Sequence, residues 1–470
     1  MKPNTNSYFV TVIFSSILFL ISCTAQPDKK KDKINFVIIL LDDSGWGDFN
    51  PFAERPYETP HVDLLAAEGC TYSNFYVPQS VCSASRASLL TGCYPERTGV
   101  ASFYYPKERG LDPSFVTIGE MLQENGYKTA CFGKWHIGDK PETHPYARGF
   151  DETAGIMYSN DMWKYHPVPE EAERYKNLPL NFYENDKILV KDMGPEEQKN
   201  LTNWITDYSL DFIERNAKNP FFLYVPHPMP HVPIFCSEEF EGKSGEGLYA
   251  DVIMELDWSI GQIVNALKEN GLENNTMVIL TSDNGPWTTY GNHAGYTPFS
   301  MAKATSFDGG TRSACIIKYP AEIEAGSKSD KAFCSIDFMP VLAHLSNAVL
   351  PDYKIDGKNV WDLITSTPGA VNPHDYYAFT INQDFQAIMT GDGRWKLHLP
   401  HEYRVLDIAG RNGKPGKYRQ EEIGFSLFDL EKDPFETTNV IDQYPETKEK
   451  LMNYVDAHRE RFFVVNEQED

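Results

Sequence analysis

Ile34-Asn35-Phe36-Val37-Ile38-Ile39-Leu40-Leu41-Asp42-Asp43 is apolar except for Asn35 until it ends in two carboxylates. A run with no alternating polar face predicts a strand covered on both sides, the kind found inside parallel sheets. Three later runs have the same form. Residues 129–133 lead into Lys134-Trp135-His136, 221–225 into Pro226-His227-Pro228-Met229-Pro230-His231, and 277–281 into Ser282-Asp283-Asn284-Gly285. In an open parallel sheet, ligands bind outside the carboxyl ends of the strands. If the four runs are neighbours, two acidic pairs and two basic clusters meet in one cleft.

Working outward, apolar runs alternate with amphipathic stretches. Thr59-Pro60 starts a helix with Pro in the first turn. Residues 117–123, 201–217, 248–270 and 338–345 carry helical stripes that serve core packing. Near residue 370 the pattern changes to short strands (376–379, 385–389, 395–399, 426–429) and a last helix over 445–461. The fold class is therefore α/β. A large mixed, mostly parallel sheet is flanked by helices and followed by a smaller C-terminal α+β subdomain of antiparallel strands with a closing helix. The expected divisions are 1–22, 23–32, 33–368 and 369–470.

The first two divisions form an address. Lys2 precedes an uncharged, largely apolar run over 8–21 that is too short to span a bilayer. It ends in Leu20-Ile21-Ser22-Cys23, which resembles a bacterial lipoprotein cleavage box. Residues 1–22 read as the signal peptide, Cys23 as the lipidation site and 23–32 as a polar tether. The expected location is the periplasm or an outer-membrane anchor, with membrane contact only through that N-terminal lipid. The other seven cysteines are spread out with no CxxC pair, so neither a disulfide framework nor a zinc site is expected.

The chain has 470 residues, 41% hydrophobic and 13% aromatic, enough for a large core. That excludes a disordered protein. A net charge of −24 argues against nucleic acid, which selects clustered Lys and Arg. An anionic small substrate stays open, because a pocket can be locally basic.

Asp42, Asp43, Asp283 and Asn284 are all oxygen donors, a set that suits calcium or magnesium better than zinc. A single Asp pair after a strand could equally be a helix cap or a turn. Cys82 opens Cys82-Ser83-Ala84-Ser85-Arg86-Ala87-Ser88-Leu89-Leu90-Thr91-Gly92, where 83–91 reads as a helix stopped by Gly92. A helix start favours an anion, and Arg86 lies one turn on from Cys82. From chemistry alone, a buried structural Cys beside a surface Arg is an equal reading.

Cys82-x-Ala84-x-Arg86 with its Leu-Leu-Thr-Gly run resembles the signature of the formylglycine-dependent type I sulfatases of the alkaline-phosphatase-like superfamily. The resemblance continues in order through Leu41-Asp42-Asp43, Gly133-Lys134-Trp135-His136, His231-Val232-Pro233 and Ser282-Asp283-Asn284-Gly285. It then takes in Lys303 and Phe307-Asp308-Gly309-Gly310-Thr311-Arg312, covering roughly residues 33–345.

The resemblance implies that Cys82 is oxidised by a formylglycine-generating maturation enzyme and that the aldehyde hydrate is the nucleophile. It implies one calcium ion held by Asp42, Asp43, Asp283 and Asn284 and touching residue 82. Arg86, Lys134 and Lys303 would neutralise sulfate oxygens. His231 and Lys303 would protonate the leaving alcohol, and His136 would take the second diol proton. Ala84 departs from the commoner Pro, so the choice of maturation enzyme matters.

The implied substrate is a sulfated glycan, with galactose or N-acetylgalactosamine sulfated at O4 or O6 favoured and exo action expected. Candidate substrate contacts are His293, Asn160, Asp161, Trp287 and His227; Tyr104, Tyr105, His398 and His401 are further ones. The rival readings are a phosphatase or phosphodiesterase on the same fold and a non-catalytic glycan-binding lipoprotein.

Overall fold

A computed structural model describes residues 33–463, together with Met1 and Asn4. Apart from those two positions, the expected signal peptide, Cys23 and the tether lie outside the described residues.

The Ile34 run forms β1 (Asn35–Leu41), buried along its whole length. It pairs in parallel with both neighbours, so no edge of it meets water. Ten further strands complete its sheet. They are β2 (Cys70–Tyr76), β3 (Lys128–Lys134), β4 (Glu152–Ile156), β5 (Phe182–Glu184), β6 (Lys187–Val190), β7 (Phe221–Pro226), β8 (Thr276–Ser282), β9 (Arg312–Lys318), β10 (Ser327–Ser329) and β11 (Phe333–Cys334). The order is β10-β2-β9-β8-β1-β7-β3-β4-β5-β6, with β11 beside β2. The centre from β8 through β1, β7 and β3 to β4 is parallel. β9 is antiparallel to both β8 and β2. The four runs read as parallel neighbours are therefore adjacent strands, and their polar endings share one edge.

The two-residue period of β1 divides the core. Phe36, Ile38 and Leu40 pack on one face with Leu89, Leu90, Phe338 and Leu342. Val37, Ile39 and Leu41 pack on the other with Ile205, Phe212, Leu256 and Ile260. The motif helix Cys82–Thr91 is buried at all ten positions, which accounts for its Ser and Ala content: little else fits a helix covered all round. It stops at Gly92, whose φ of 66° suits glycine.

The C-terminal part holds a four-stranded antiparallel sheet and a separate two-stranded ribbon. The sheet contains β12 (Tyr376–Ile381), β13 (Asp384–Thr390), β14 (Trp395–His398) and β17 (Ser426–Asp429); the ribbon is β15 (His401–Ile408) with β16 (Lys417–Ile423). Helix Pro445–Phe462 closes the sheet through Leu451 and Val455. A buried polar knot joins this sheet to the large one. Lys396 Nζ lies 2.7 Å from Asp308 and 3.1 Å from Glu436, while His398 Nε2 is 2.8 Å from Glu436. His398 thus has a structural partner, and His401 caps Leu399 O at 2.7 Å.

The six cysteines other than Cys82 and Cys23 are buried and unbridged, as small apolar residues are. No helix among the described residues is long and apolar enough to cross a membrane.

Helix Leu248–Glu269 carries three buried acids, Asp251, Glu255 and Asp257, of which Glu255 has a carboxyl oxygen without a partner. Its Oε1 accepts Ser237 N–H at 3.1 Å, and its Oε2 is buried without a partner. Burial pushes its carboxyl up to about 7, against the pull of the Ser237 hydrogen bonds. A raised acid stabilises the fold below its unfolded value near 4.5, and that contribution is lost as pH rises through about 7. Glu255→Gln should therefore be more stable than the parent at pH 8, by up to roughly 3 kcal/mol, with the gap closing by pH 5. Unfolding midpoints at the two pH values test this; an equal pH response in both proteins would disprove it.

Candidate functional site

Strand ends and short turns build the site. Asp42 and Asp43 follow β1, and Asp283 and Asn284 follow β8, one strand away. Asp283 N–H bonds Leu41 O at 3.0 Å, and Asp43 N–H bonds Asp283 Oδ1 at 3.2 Å, so the two turns lock together. Asn284 Nδ2 donates to Asp43 Oδ1 at 2.7 Å, which turns its Oδ1 the other way. Gly133, at φ 138°, lets β3 lie against Pro226 O; a side chain there would meet that oxygen at 2.0 Å. Lys134 and His136 follow directly.

Four residues at the site hold left-handed backbone although none is glycine: Asp43 (φ 64°), His136 (62°), Met301 (60°) and Ala304 (60°). Each costs about 1–3 kcal/mol, and such positions cluster where geometry is functional. Met301 and Ala304 bracket Lys303 and aim its side chain inward.

The ligand atoms of Asp42, Asp43, Cys82 and His231 lie within 4.8 Å of one another. Lys303 Nζ is 2.6 Å from Asp43 Oδ1 and 3.2 Å from Cys82 Sγ. Lys134 Nζ contacts Asp42 Oδ2 and Ser159 Oγ. Arg86 Nε donates to Asp283 Oδ2 at 2.9 Å, and its NH2 lies 3.4 Å from Asp42.

The sequence reading placed Arg86, Lys134 and Lys303 together around a sulfate. Only Lys303 lines the cavity; Arg86 and Lys134 sit behind the carboxylates and neutralise them. The reason is register: Arg86 is one turn into the helix, at the depth of the strand ends.

Burial pushes the Asp43 carboxyl up to about 7, with repulsion from Asp42 and Asp283 adding to it against Lys303. Burial also raises Asp283. Asp42 is likewise buried, but Lys134, Arg86 and His231 outweigh burial and hold it well below the usual range. Burial pushes the Cys82 thiol up despite Lys134 and Lys303, so Cys82 is a protonated thiol at neutral pH and a poor nucleophile as it stands.

Burial, with Lys303 and Lys134, lowers His231; burial, with Lys134 and Arg86, lowers His136. Both rings are neutral at pH 7. His231 Nδ1 lies 2.6 Å from Val232 O, so Nδ1 carries the hydrogen and Nε2 faces Asp43 at 3.6 Å. His136 donates from Nε2 to Tyr104 O at 3.1 Å, leaving buried Nδ1 as a free base.

Above these groups opens a cavity of about 530 Å³, lined by Cys82, His136, Ser159, His231 and Lys303 at its base. A sulfatase family profile matches residues 34–348, two thirds of the chain and all the strand ends just described. The chain belongs to the sulfatase family. This sulfatase is 33% identical to human N-acetylgalactosamine-6-sulfatase over 460 residues, covering 91% of this chain and 85% of that one. It is 32% identical to bovine arylsulfatase A, covering 90% and 86%. Among solved structures, a Bacteroides thetaiotaomicron 6S-sulf protein of glycosaminoglycan metabolism superposes with a TM-score of 0.76 at 26% identity, covering 91% and 99%. A Pseudoalteromonas sp. sulfatase shares the fold at a TM-score of 0.80 and 24% identity, covering 92% of each chain. The large mostly parallel sheet with separate C-terminal antiparallel strands is the fold of these neighbours.

Of the expected substrate contacts, Asp161 and Trp287 line the sulfatase cavity. Trp287 stacks near His231, and Lys303 Nζ lies 4.7 Å over its ring. Asn160 does not line it: its amide bonds Gln198 and Pro233 O and braces the loop from behind. His227 is fully buried and absent from the cavity lining, with Nε2 3.4 Å from Ser259 Oγ of helix Leu248–Glu269. His293, expected at the mouth, packs near Gly413 of the ribbon turn and is not in the cavity lining. Tyr105 lines the wall, while Tyr104 serves through its carbonyl.

The sequence reading missed Arg404 and Tyr418, which the ribbon brings to the cavity, and Glu171, Arg174 and Tyr175 from helix Pro169–Tyr175. The ribbon strands are rich in charge and have no apolar face, so their periodicity reads as loop. The glycines at 410, 413 and 416 between two such runs were the available hairpin signal.

Proposed function

We propose that this sulfatase removes O-sulfate from a carbohydrate, with Cys82 matured to formylglycine and one calcium ion held by Asp42, Asp43, Asp283 and Asn284. The observation that carries the metal assignment is a pair of buried oxygens without partners, Asp43 Oδ2 and Asn284 Oδ1, among crowded carboxylates. An all-oxygen donor set of this kind fits a hard divalent cation. When present, calcium supplies Lewis-acid polarisation and the formylglycine hydrate supplies the nucleophilic hydroxyl that a buried thiol cannot.

The remaining work falls to side chains. Lys303 presents an ammonium to the cavity base, where negative charge develops. His231, neutral in the free site, would take up a proton at Nε2 as the sulfate anion enters and pass it to the leaving oxygen, beside the Lys303 ammonium that is already protonated. His136 offers free Nδ1 to accept a proton from residue 82. Arg86 and Lys134 hold the carboxylates in place.

Support for the sugar comes from relatives named N-acetylgalactosamine-6-sulfatase. N-acetylgalactosamine 6-sulfate is therefore the first substrate to try, then galactose 6-sulfate and the 4-sulfates. A cavity of about 530 Å³ takes one or two sugar rings, which favours exo action. Export and lipidation at Cys23 complete the proposal.

Sulfate release should be followed with protein whose conversion at residue 82 is verified by mass. One galactose-configured sugar should turn over, a matched phosphate ester should not, and exhaustive chelation should remove activity that calcium restores. Turnover of the phosphate alone would overturn the sulfatase substrate assignment, and full activity after chelation would overturn the metal site.

A further inference from the structure

Among the described residues Arg404 is a cation without a carboxylate partner. It lines the cavity from β15. Its NH2 donates to Lys303 O at 2.6 Å, and its guanidinium lies 4.6 Å over the Tyr418 ring. Arg404 and Tyr418 are diagonal neighbours across the ribbon, since Arg404 pairs with Gln420 and Leu406 with Tyr418. No ion pair to Arg404 forms among the described residues, and its buried Nε has no hydrogen-bond partner. An Arg held on an aromatic face is pre-oriented, and its flat fork matches a carboxylate or sulfate.

The same wall carries three more buried polar atoms without partners: Trp287 Nε1, Thr289 Oγ1 and Tyr418 OH. All can donate. The wall is rigidly mounted, because Gly410 N–H and Gly416 N–H both bond Thr289 O, at 2.9 and 2.7 Å. Native proteins rarely leave such groups unmatched, so a cluster of them facing a cavity marks a ligand surface. Elsewhere in the lining, Asp161 Oδ1 is unpartnered, and Glu171 is paired at 2.9 Å to Arg174, which also lines the cavity. The free Asp161 oxygen suits a sugar hydroxyl.

We propose that the ribbon wall, centred on Arg404 with Tyr418 and Thr289, is a subsite for a second acidic substituent, a carboxylate or further sulfate, on the sugar being desulfated. This rests on the carbohydrate reading above and names the substrate class within it. Arg404 is a specificity residue here; Lys303 O, which it also holds, belongs to the reacting end.

The test uses matured full-length enzyme and three substrates: N-acetylgalactosamine 6-sulfate, the same sugar with a second sulfate, and its disaccharide with a uronic acid. Arg404→Met should raise KM for one or both of the substrates with a second acidic group about 10- to 100-fold, leaving kcat and the monosulfated sugar's KM within about twofold. The arm that responds tells sulfate from carboxylate. Arg404→Lys should restore part of the loss, since it keeps charge but not the fork. An equal fall in kcat/KM on all three would overturn the subsite and place Arg404 at the scissile sulfate; no change on any would overturn it too.

Calorimetric binding of the same sugars to Cys82→Ala protein, with and without Arg404→Met, gives a readout free of turnover. Discrimination in binding without any sulfate release would sink the proposed reaction and keep the subsite. Turnover without discrimination would do the reverse.

Discussion

Replacing Cys82 by alanine should abolish sulfate release, a loss of about 10⁵-fold or more, as expected when a nucleophile is removed. The side chain lies at the cavity base, 3.2 Å from Lys303 Nζ and 3.5 Å from Asp42 Oδ1. The other groups at the base are placed for other work: Ser159 is held by Lys134, and each histidine keeps one ring nitrogen on a backbone carbonyl and leaves the other for proton transfer. Stability should change little, because Lys303 keeps Asp43 and Arg86 keeps Asp283. A matched unfolding midpoint therefore separates lost chemistry from lost structure. Peptide mass gives the second readout: active protein should carry aldehyde at residue 82 and no thiol. Activity in proportion to residual thiol would sink the formylglycine assignment, and so would retained turnover in the alanine variant.

The second large effect is structural. Lys396→Met should cost about 3–5 kcal/mol, the usual loss when one partner of a buried ion pair is removed. Lys396 is completely buried between Asp308 and Glu436. Burial pushes the Glu436 carboxyl up, but Lys396 and His398 outweigh it and hold Glu436 at about 2, so it stays ionised. Without the ammonium, two carboxylates remain in a dry interface. Tyr76 and Arg312 still reach Asp308, which sets the loss nearer the lower figure. Denaturant unfolding should show it. Adding Glu436→Gln should return part of the stability, since it removes one stranded charge. A single-variant loss below about 1 kcal/mol, or a double variant worse than the sum, would show that the knot does not join the sheets as described.

The two outcomes bear on different distances from the chemistry. Cys82 lies in the cavity lining, where the proposed chemistry takes place. Lys396 acts on the turn that begins at Asp308, five residues beyond Lys303, and should reach activity only through the fold.

Much of this was legible in the linear order of residues. The apolar run before Asp42 and Asp43 could only be a covered strand, because no face of it tolerates water. The capped run from Cys82 to Gly92 could only be a short helix, because glycine alone sits easily in the left-handed stop. Strand endings are local, so the residues they deliver were legible too: Asp42, Asp43, Lys134, His136, His231, Asp283 and Asn284 all lie within a few residues of a strand end.

Depth and partnership were not legible. Whether Arg86 faces the cavity or the carboxylates depends on how far the helix slides along the sheet, a packing outcome with no local signal. His227 and His231 differ by four positions, yet one is sealed beneath a helix and the other faces the cleft. Asn160 and Asp161 are adjacent and point opposite ways. The ribbon that carries Arg404 and Tyr418 is charged on both faces, so only its docking on Thr289 and Lys303 gives it a place. Sequence determined the chemistry at the strand ends because those positions are set by local burial. Tertiary structure alone decided which groups share the cavity wall, because that depends on contacts between segments a hundred or more residues apart.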